Sequence, residues 1–336
     1  MSACVINGNW VHLIKVLKEK NYTNLDMDIA AVLSLAGIFF FNFSFLFFIK
    51  DYAKIIHNLS DFKPYGKPVK FDEKTKKLNF YSKIHGTYMF FCILIIVVSS
   101  NIKVGWCSLR SVYDCGIFIQ PYMLFNIDHY PGRIFFFILK YIALCMTYQT
   151  SANLSFCMSE LVEHINIRLD DVMEKFREAL NEKNENQERD LKRAIQYHNF
   201  VIEISNEFNV SSRQCLFLHL LLTGIILGLM GYLSIYKLSF DCLVIFMGYF
   251  SSMALVSGGG QRIMHKSVSV SMAVYNTSWY TLDVKIQKLL VLVIARCQKP
   301  LHVRAGPFGI MNYALILGVL KTSYSCITFL LATNRA

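Results

Sequence analysis

The side chains that stand out chemically in this sequence are lysines in apolar surroundings. Lys140 interrupts the otherwise uncharged run 134–159, and Lys321 interrupts the run 305–334. An ionisable group in such a run is costly, and it marks an ion or substrate path by default. Lys140 lies nine residues from Pro131, close enough for its long stem to reach an interface. Lys321 lies 16 residues into its run, too deep for that, so a helix break or a water-lined path is expected there. Catalytic patterns are missing: there is no H-E-x-x-H, G-x-S-x-G, Walker loop or dinucleotide fingerprint. Gly258-Gly259-Gly260 is a lone glycine run that suits close helix packing better than phosphate binding. The nine His and ten Cys are dispersed, without a C-x-x-C pair. Neither an enzyme nor a bound metal or other cofactor is expected.

The elements that position these residues are membrane spans. Of 336 residues, 54% are hydrophobic and only 17% charged, against about 25% in an average soluble domain. The mean hydropathy is +0.39. Six runs are uncharged or nearly so, at 29–49, 84–102, 134–159, 214–236, 242–261 and 305–334. A membrane-crossing helix takes ~20 such residues. The expected fold is therefore an all-α polytopic membrane bundle with six transmembrane helices. Lys and Arg number nine in 50–83, eight in 160–213 and seven in 262–304, which is 24 of the chain's 34. That asymmetry places these three loops in the cytoplasm and both ends of the chain outside. It also accounts for the net charge of +11 without a nucleic-acid partner.

Four regions follow: an outer tail at 1–28, a transmembrane bundle at 29–261, a cytoplasmic segment at 262–304, and the last span with an outer C-terminus at 305–336. On the outer side, Asn21 begins an Asn-Tyr-Thr glycosylation triplet. Cys107 and Cys115 lie close enough in sequence to pair across a short loop, or remain free thiols. In the second cytoplasmic loop Leu161, Ile165, Leu169, Val172, Phe176 and Leu180 recur every three or four residues. That is one apolar helix face, so the third and fourth spans are expected to continue inward as a helical hairpin. In the third loop, 289–295 is apolar, too short to cross a bilayer, and suits a buried cytoplasmic helix.

The last 75 residues resemble the insect odorant receptor family. The matching elements are Gly260-Gln261-Arg262, the Ser267 region, Ala273-Val274-Tyr275-Asn276, Trp279-Tyr280, Gln298-Lys299-Pro300-Leu301, Gly306 with Phe308, and Leu320-Lys321-Thr322-Ser323-Tyr324-Ser325. The upstream chain fits by span order and loop length. The resemblance implies a seven-span subunit with an intracellular N-terminus. It also implies a tetrameric, ligand-gated, non-selective cation channel shared with the olfactory coreceptor, in the cell membrane of a sensory dendrite. Counted back from the signature, 29–49 aligns with the family's second span. The first span is unaccounted for, and the expectation is an incomplete or a shortened receptor.

By family position, a volatile or small apolar odorant is expected to meet Leu33, Gly37, Ile96, Ser99, Tyr141, Cys145, Phe246 and Tyr249. The pore and gate are expected at Lys321, Ser323, Ile327 and Leu331. Ile327 and Leu331 are four apart and stack on one helix face. Subunit assembly is expected through 280–295, with Tyr280, Leu290 and Ile294. Two competing readings remain open. A gustatory receptor of the same superfamily ends in T-Y-x-x-x-x-x-Q-F, whereas Ser323-Tyr324 here is followed by Phe329-Leu330 without that Gln. A secondary transporter usually carries an internal repeat, and none is visible.

Overall fold

The computed structural model of the chain describes residues 2–20, 25–103, 130–182 and 184–333. Among these residues lie nine α-helices: α1 (Ser2–Lys18), α2 (Leu25–Phe47), α3 (Ile49–Ser60), α4 (Phe71–Lys103), α5 (Tyr130–Ala179), α6 (Gln187–Tyr236), α7 (Phe240–Tyr275), α8 (Val284–Cys297) and α9 (Tyr313–Thr333). Six of them, α2, α4, α5, α6, α7 and α9, are long and apolar enough to cross a membrane. The described residues contain no strand, only a bridge between Arg304 and Ile310. Asn21, Cys107 and Cys115 lie outside the described residues.

Helices α5 and α6 each run 50 residues. At 1.5 Å per residue that is ~75 Å, more than twice the ~30 Å hydrocarbon core of a bilayer. Their lower halves form the hairpin that the apolar spacing predicts. Leu161, Ile165, Leu169, Val172, Phe176 and Leu180 are all buried there, packed with Leu191, Tyr197, Val201 and Phe208 of α6. The helix α8 falls where the short apolar run predicts it, burying Ile286, Leu290, Val293 and Cys297 in the same core. A second, smaller core lies towards the far end of the bundle, around Ala31, Leu35, Ala143, Ile226, Met230, Leu233 and Ile245.

Polar groups pin the lysine-rich end. Arg168 is 1% exposed, a costly place for a charge. Its Nη2 donates to the carbonyls of Leu59 (2.8 Å) and Asp61 (2.9 Å). Its guanidinium faces the rings of Phe62 and Tyr197 at 5.1 and 5.9 Å. Carbonyl acceptors and aromatic faces replace the lost water and fix the α3–α4 turn onto α5. Asp170 Oδ2 accepts from Lys74 at 2.7 Å and Lys266 at 2.6 Å, tying α4, α5 and α7 together.

Three expectations need correction. The tail expected over 1–28 is helical from Ser2 to Lys18, because Asn9, His12, Leu13 and Val16 lie on one face and are buried. Sequence reading missed the helix because two of those four are polar. Secondly, α9 is continuous through Lys321, which is exposed on its surface, so no break is needed. Thirdly, the last helix starts at Tyr313 rather than near Ala305. Residues 301–311 form a loop with a short 3-10 turn instead, anchored by buried Leu301, Val303, Ala305 and Met311, in which Met311 N–H donates to Val303 (2.8 Å) and Ala305 N–H to Gly309 (2.9 Å).

Candidate functional site

A cavity opens among α2, α4, α5, α6 and α7 in the half of the bundle opposite the lysine-rich loops. The cavity volume is about 50 Å3, within an open space of about 530 Å3 that includes solvent at its mouth. Ile38, Met89, Cys92, Ile93, Ile96, Val244 and Ile245 give it apolar walls. That follows from local sequence: 89, 92, 93 and 96 are one face of α4, and 245, 248, 249 and 252 are one face of α7. Polar side chains gather at two places. Ser34 Oγ bonds the hydroxyls of Tyr148 (2.9 Å) and Tyr249 (2.6 Å) near the outer end. Deeper, Ser252 Oγ donates to Ser155 Oγ (2.7 Å) and lies 3.2 Å from His219 Nε2. An apolar enclosure with a few convergent polar groups is the usual form of a small-molecule site.

Two of the eight residues expected at the ligand site, Ile96 and Tyr249, line this cavity. The other six do not. Leu33, Tyr141 and Cys145 are half-buried and lie outside its lining. Gly37 faces Leu222 of α6. Ser99 bonds the buried carboxylate of Asp241. Phe246 packs into both cores, across from Gly231. On α5 the cavity uses Tyr148, Ser151, Ala152 and Ser155, about one to four turns deeper than Cys145 and Tyr141. The missed signal was the occurrence of Ser151, Ser155, His219 and Ser252 inside apolar spans, where polar groups are expensive.

The last helix packs on a row of small residues. Gly224, Gly228 and Gly231 of α6 face Val319, Cys326 and Ile327 of α9. A Cβ at Gly231 would sit 2.5 Å from Ile327 Cδ1, so the glycine lets the Ile327 side chain lie directly against α6 and a larger residue would turn it aside. Ser323 is 3% exposed and donates to the Gly224 carbonyl (3.2 Å). Ser323, expected with Ile327 and Leu331 at the gate, is thus buried against α6, and Ile327 and Leu331 are half-buried against the second core. The exposed face of α9 carries Ala314, Gly318, Lys321, Ser325, Thr328 and Ala332. Their alternating spacing of four and three keeps them on one side of the helix.

The expected assembly residues also separate. Tyr280 is 70% exposed, whereas Leu290 is fully buried and Ile294 packs against the same internal core. The apolar side chains exposed in this region are Met272, Tyr275, Val284, Val291 and Leu292. The short apolar run 289–295 pointed to α8, and the family resemblance assigned Leu290 and Ile294 to subunit contacts.

The sequence profile of the 7tm Odorant receptor family matches residues 23–324. The chain belongs to this family. It is 25% identical over 255 residues to Odorant receptor 85b of Drosophila melanogaster, covering 73% of this chain and 63% of that receptor. With Odorant receptor 85c of the same fly it shares 23% identity over 323 residues, 89% of this chain and 81% of the relative. The chain thus spans a little under two thirds of the first relative's length and four fifths of the second's. The fold matches the olfactory receptor OR5 of Machilis hrabei with a TM-score of 0.80 at 12% identity, over 97% of this chain and 87% of that one. A structure of OR5 in complex with eugenol matches equally, covering 98% of this chain and 88% of OR5. This odorant receptor is thus a multi-pass membrane protein and not an enzyme.

Proposed function

We propose that the chain is the odorant-binding subunit of a ligand-gated cation channel, assembled with the olfactory coreceptor in the cell membrane of a sensory neuron. The observation that carries this reading is the cavity, whose walls come from five helices and which lies beside the helix that bears α9. His219 lines the cavity, and five residues later on α6 Gly224 begins the row against which α9 packs. A ligand that repositions α6 would displace α9 directly, because a glycine seam leaves no side chain to absorb the movement. The eugenol complex of OR5 supports a small, mostly apolar ligand.

The ion path in this reading runs along the exposed face of α9. Gly318, Ser325, Thr328 and Ala332 are small or polar, and Lys321 needs the water that such a path provides. Assembly uses the exposed apolar groups around α8, namely Tyr275, Tyr280, Val284, Val291 and Leu292. The experiment is whole-cell recording of this chain with the coreceptor, against each alone, over an odorant panel. Odorant-evoked current only in the co-expressing cells is expected. Absence of any evoked current at normal surface expression would overturn the reading.

A further inference from the structure

The protons at the deep end of the cavity are all committed. Ser155 Oγ–H donates to the Ser151 carbonyl (3.1 Å), the usual back-bond of a helical serine. Ser252 Oγ–H donates to Ser155 Oγ, so His219 Nε2 must carry the proton that it shares with Ser252. The chain runs one way, from His219 to Ser252 to Ser155 to the Ser151 carbonyl. A hydroxyl has one proton and two lone pairs. Ser252 and Ser155 therefore each keep one free lone pair and no free proton. Both are over nine-tenths buried and both line the cavity. The hydroxyls of the outer cluster are engaged with one another: Ser34 Oγ bonds the Tyr148 and Tyr249 hydroxyls at 2.9 and 2.6 Å, and the Tyr249 hydroxyl lies 3.5 Å from the Ser34 carbonyl.

We propose that this cavity selects odorants bearing a hydroxyl group over ketones, ethers and alkanes of the same size. This rests on the reading of the cavity as the odorant site. A ligand hydroxyl donates to the lone pairs of Ser252 and Ser155. A ketone or ether brings only acceptors and leaves two oxygens facing each other across a dry space, which is a costly arrangement. Ser151, nearer the mouth and half-buried, is the lining hydroxyl with which a carbonyl ligand would compete for a bond.

The test is a concentration–response series with octanol, octanone, methyl heptyl ether and nonane on cells expressing the chain with the coreceptor. The wild type, Ser252→Ala and Ser151→Ala are compared at matched surface expression. Octanol is expected to act at about tenfold lower concentration than octanone or the ether, the effect of about one net hydrogen bond. Ser252→Ala removes the acceptor and leaves the His219 N–H without its partner, so the preference is expected to shift towards octanone. Ser151→Ala is expected to keep it. Equal potency across the series, or an alcohol preference unchanged in Ser252→Ala, would overturn the selectivity. An octanone preference lost in Ser151→Ala would do so too. Silence to all four probes would instead remove the cavity's odorant reading, and the selectivity with it.

Discussion

The glycine triplet of α7 gives a test in which three adjacent, chemically identical substitutions have different consequences. A Cβ at Gly260 would lie 2.1 Å from the Met311 carbonyl oxygen, 3.1 Å from its carbon and 3.2 Å from Met311 Cβ. Ordinary contact needs more than 3 Å, so α7 or the loop must move by about 1 Å. The loop cannot give way easily. Leu301, Val303, Ala305 and Met311 are all buried. Leu301 N–H donates to Ser267 Oγ at 2.9 Å, and Arg304 N–H to Asn209 Oδ1 at 2.8 Å. Overpacking of this kind costs about 1–3 kcal/mol, and contact with backbone favours the upper end. At Gly259 the nearest atom is Val162 Cγ1 at 3.4 Å, and at Gly258 it is Arg262 Nη1 at 3.5 Å, both ordinary contacts. Alanine there gains up to about 1 kcal/mol of helix propensity. Thermal melting of the purified receptor in detergent should therefore show Gly260→Ala several degrees lower than wild type, and Gly258→Ala and Gly259→Ala unchanged or higher. Since Met311 lies two residues before α9, evoked current should also fall selectively in Gly260→Ala. A Gly260→Ala variant that melts like wild type while Gly259→Ala is destabilised would refute the packing argument.

Leu290→Asp should lower the melting temperature of the isolated subunit, because an unpaired buried carboxylate costs several kcal/mol; Leu292→Asp should leave melting intact and abolish co-purification with the coreceptor. In a Cys326→Ser background, Ser325→Cys and Thr328→Cys channels should be blocked by a polar thiol reagent, and Ile327→Cys channels should not. Burial pushes the imidazole of His198 down to about 4, with the Arg296 charge adding to the effect. The unfolded chain then binds more protons than the folded one between pH 4 and 6.5, so stability falls as pH drops through that window. A loss of about 2 kcal/mol is expected between pH 7 and 5, read as a lower melting temperature, and His198→Phe should remove most of that slope.

Composition alone disclosed the six membrane helices, because a bilayer demands long uncharged runs and few other structures supply them. The extensions of α5 and α6 at the lysine-rich end were equally legible, since Leu161 to Leu180 repeat at helical spacing. The sequence specifies a helix's apolar face but not its depth relative to a neighbour. For that reason the cavity sits about one to four turns from Cys145 and Tyr141 along α5, and it adds His219 of α6 to the expected helices. The same ambiguity hid the inward turn of Ile327 and Leu331, whose aliphatic side chains suit a gate, lipid or α6 equally well. Only the glycines at 224, 228 and 231, read together as a packing seam, distinguish these options. Lys321 suggested a broken helix because a lysine in an apolar run looks buried, whereas its stripe partners Ser325 and Thr328 mark the exposed side. The helix α1 escaped notice because Asn9 and His12 occupy its inward face.

The central claim is that the cavity beside Gly248 holds the odorant. A Cβ at Gly248 would meet only Met89 Cε, at 3.7 Å, so the space beyond it is open. Melting of the purified receptor is measured with and without an activating odorant, for wild type and Gly248→Phe. The account predicts a rise in the wild type, worth about 2.7 kcal/mol at a hundredfold excess over Kd. It predicts no rise in Gly248→Phe, whose ring fills the cavity, with the ligand-free melting temperatures alike. An equal ligand-induced rise in both proteins would contradict it.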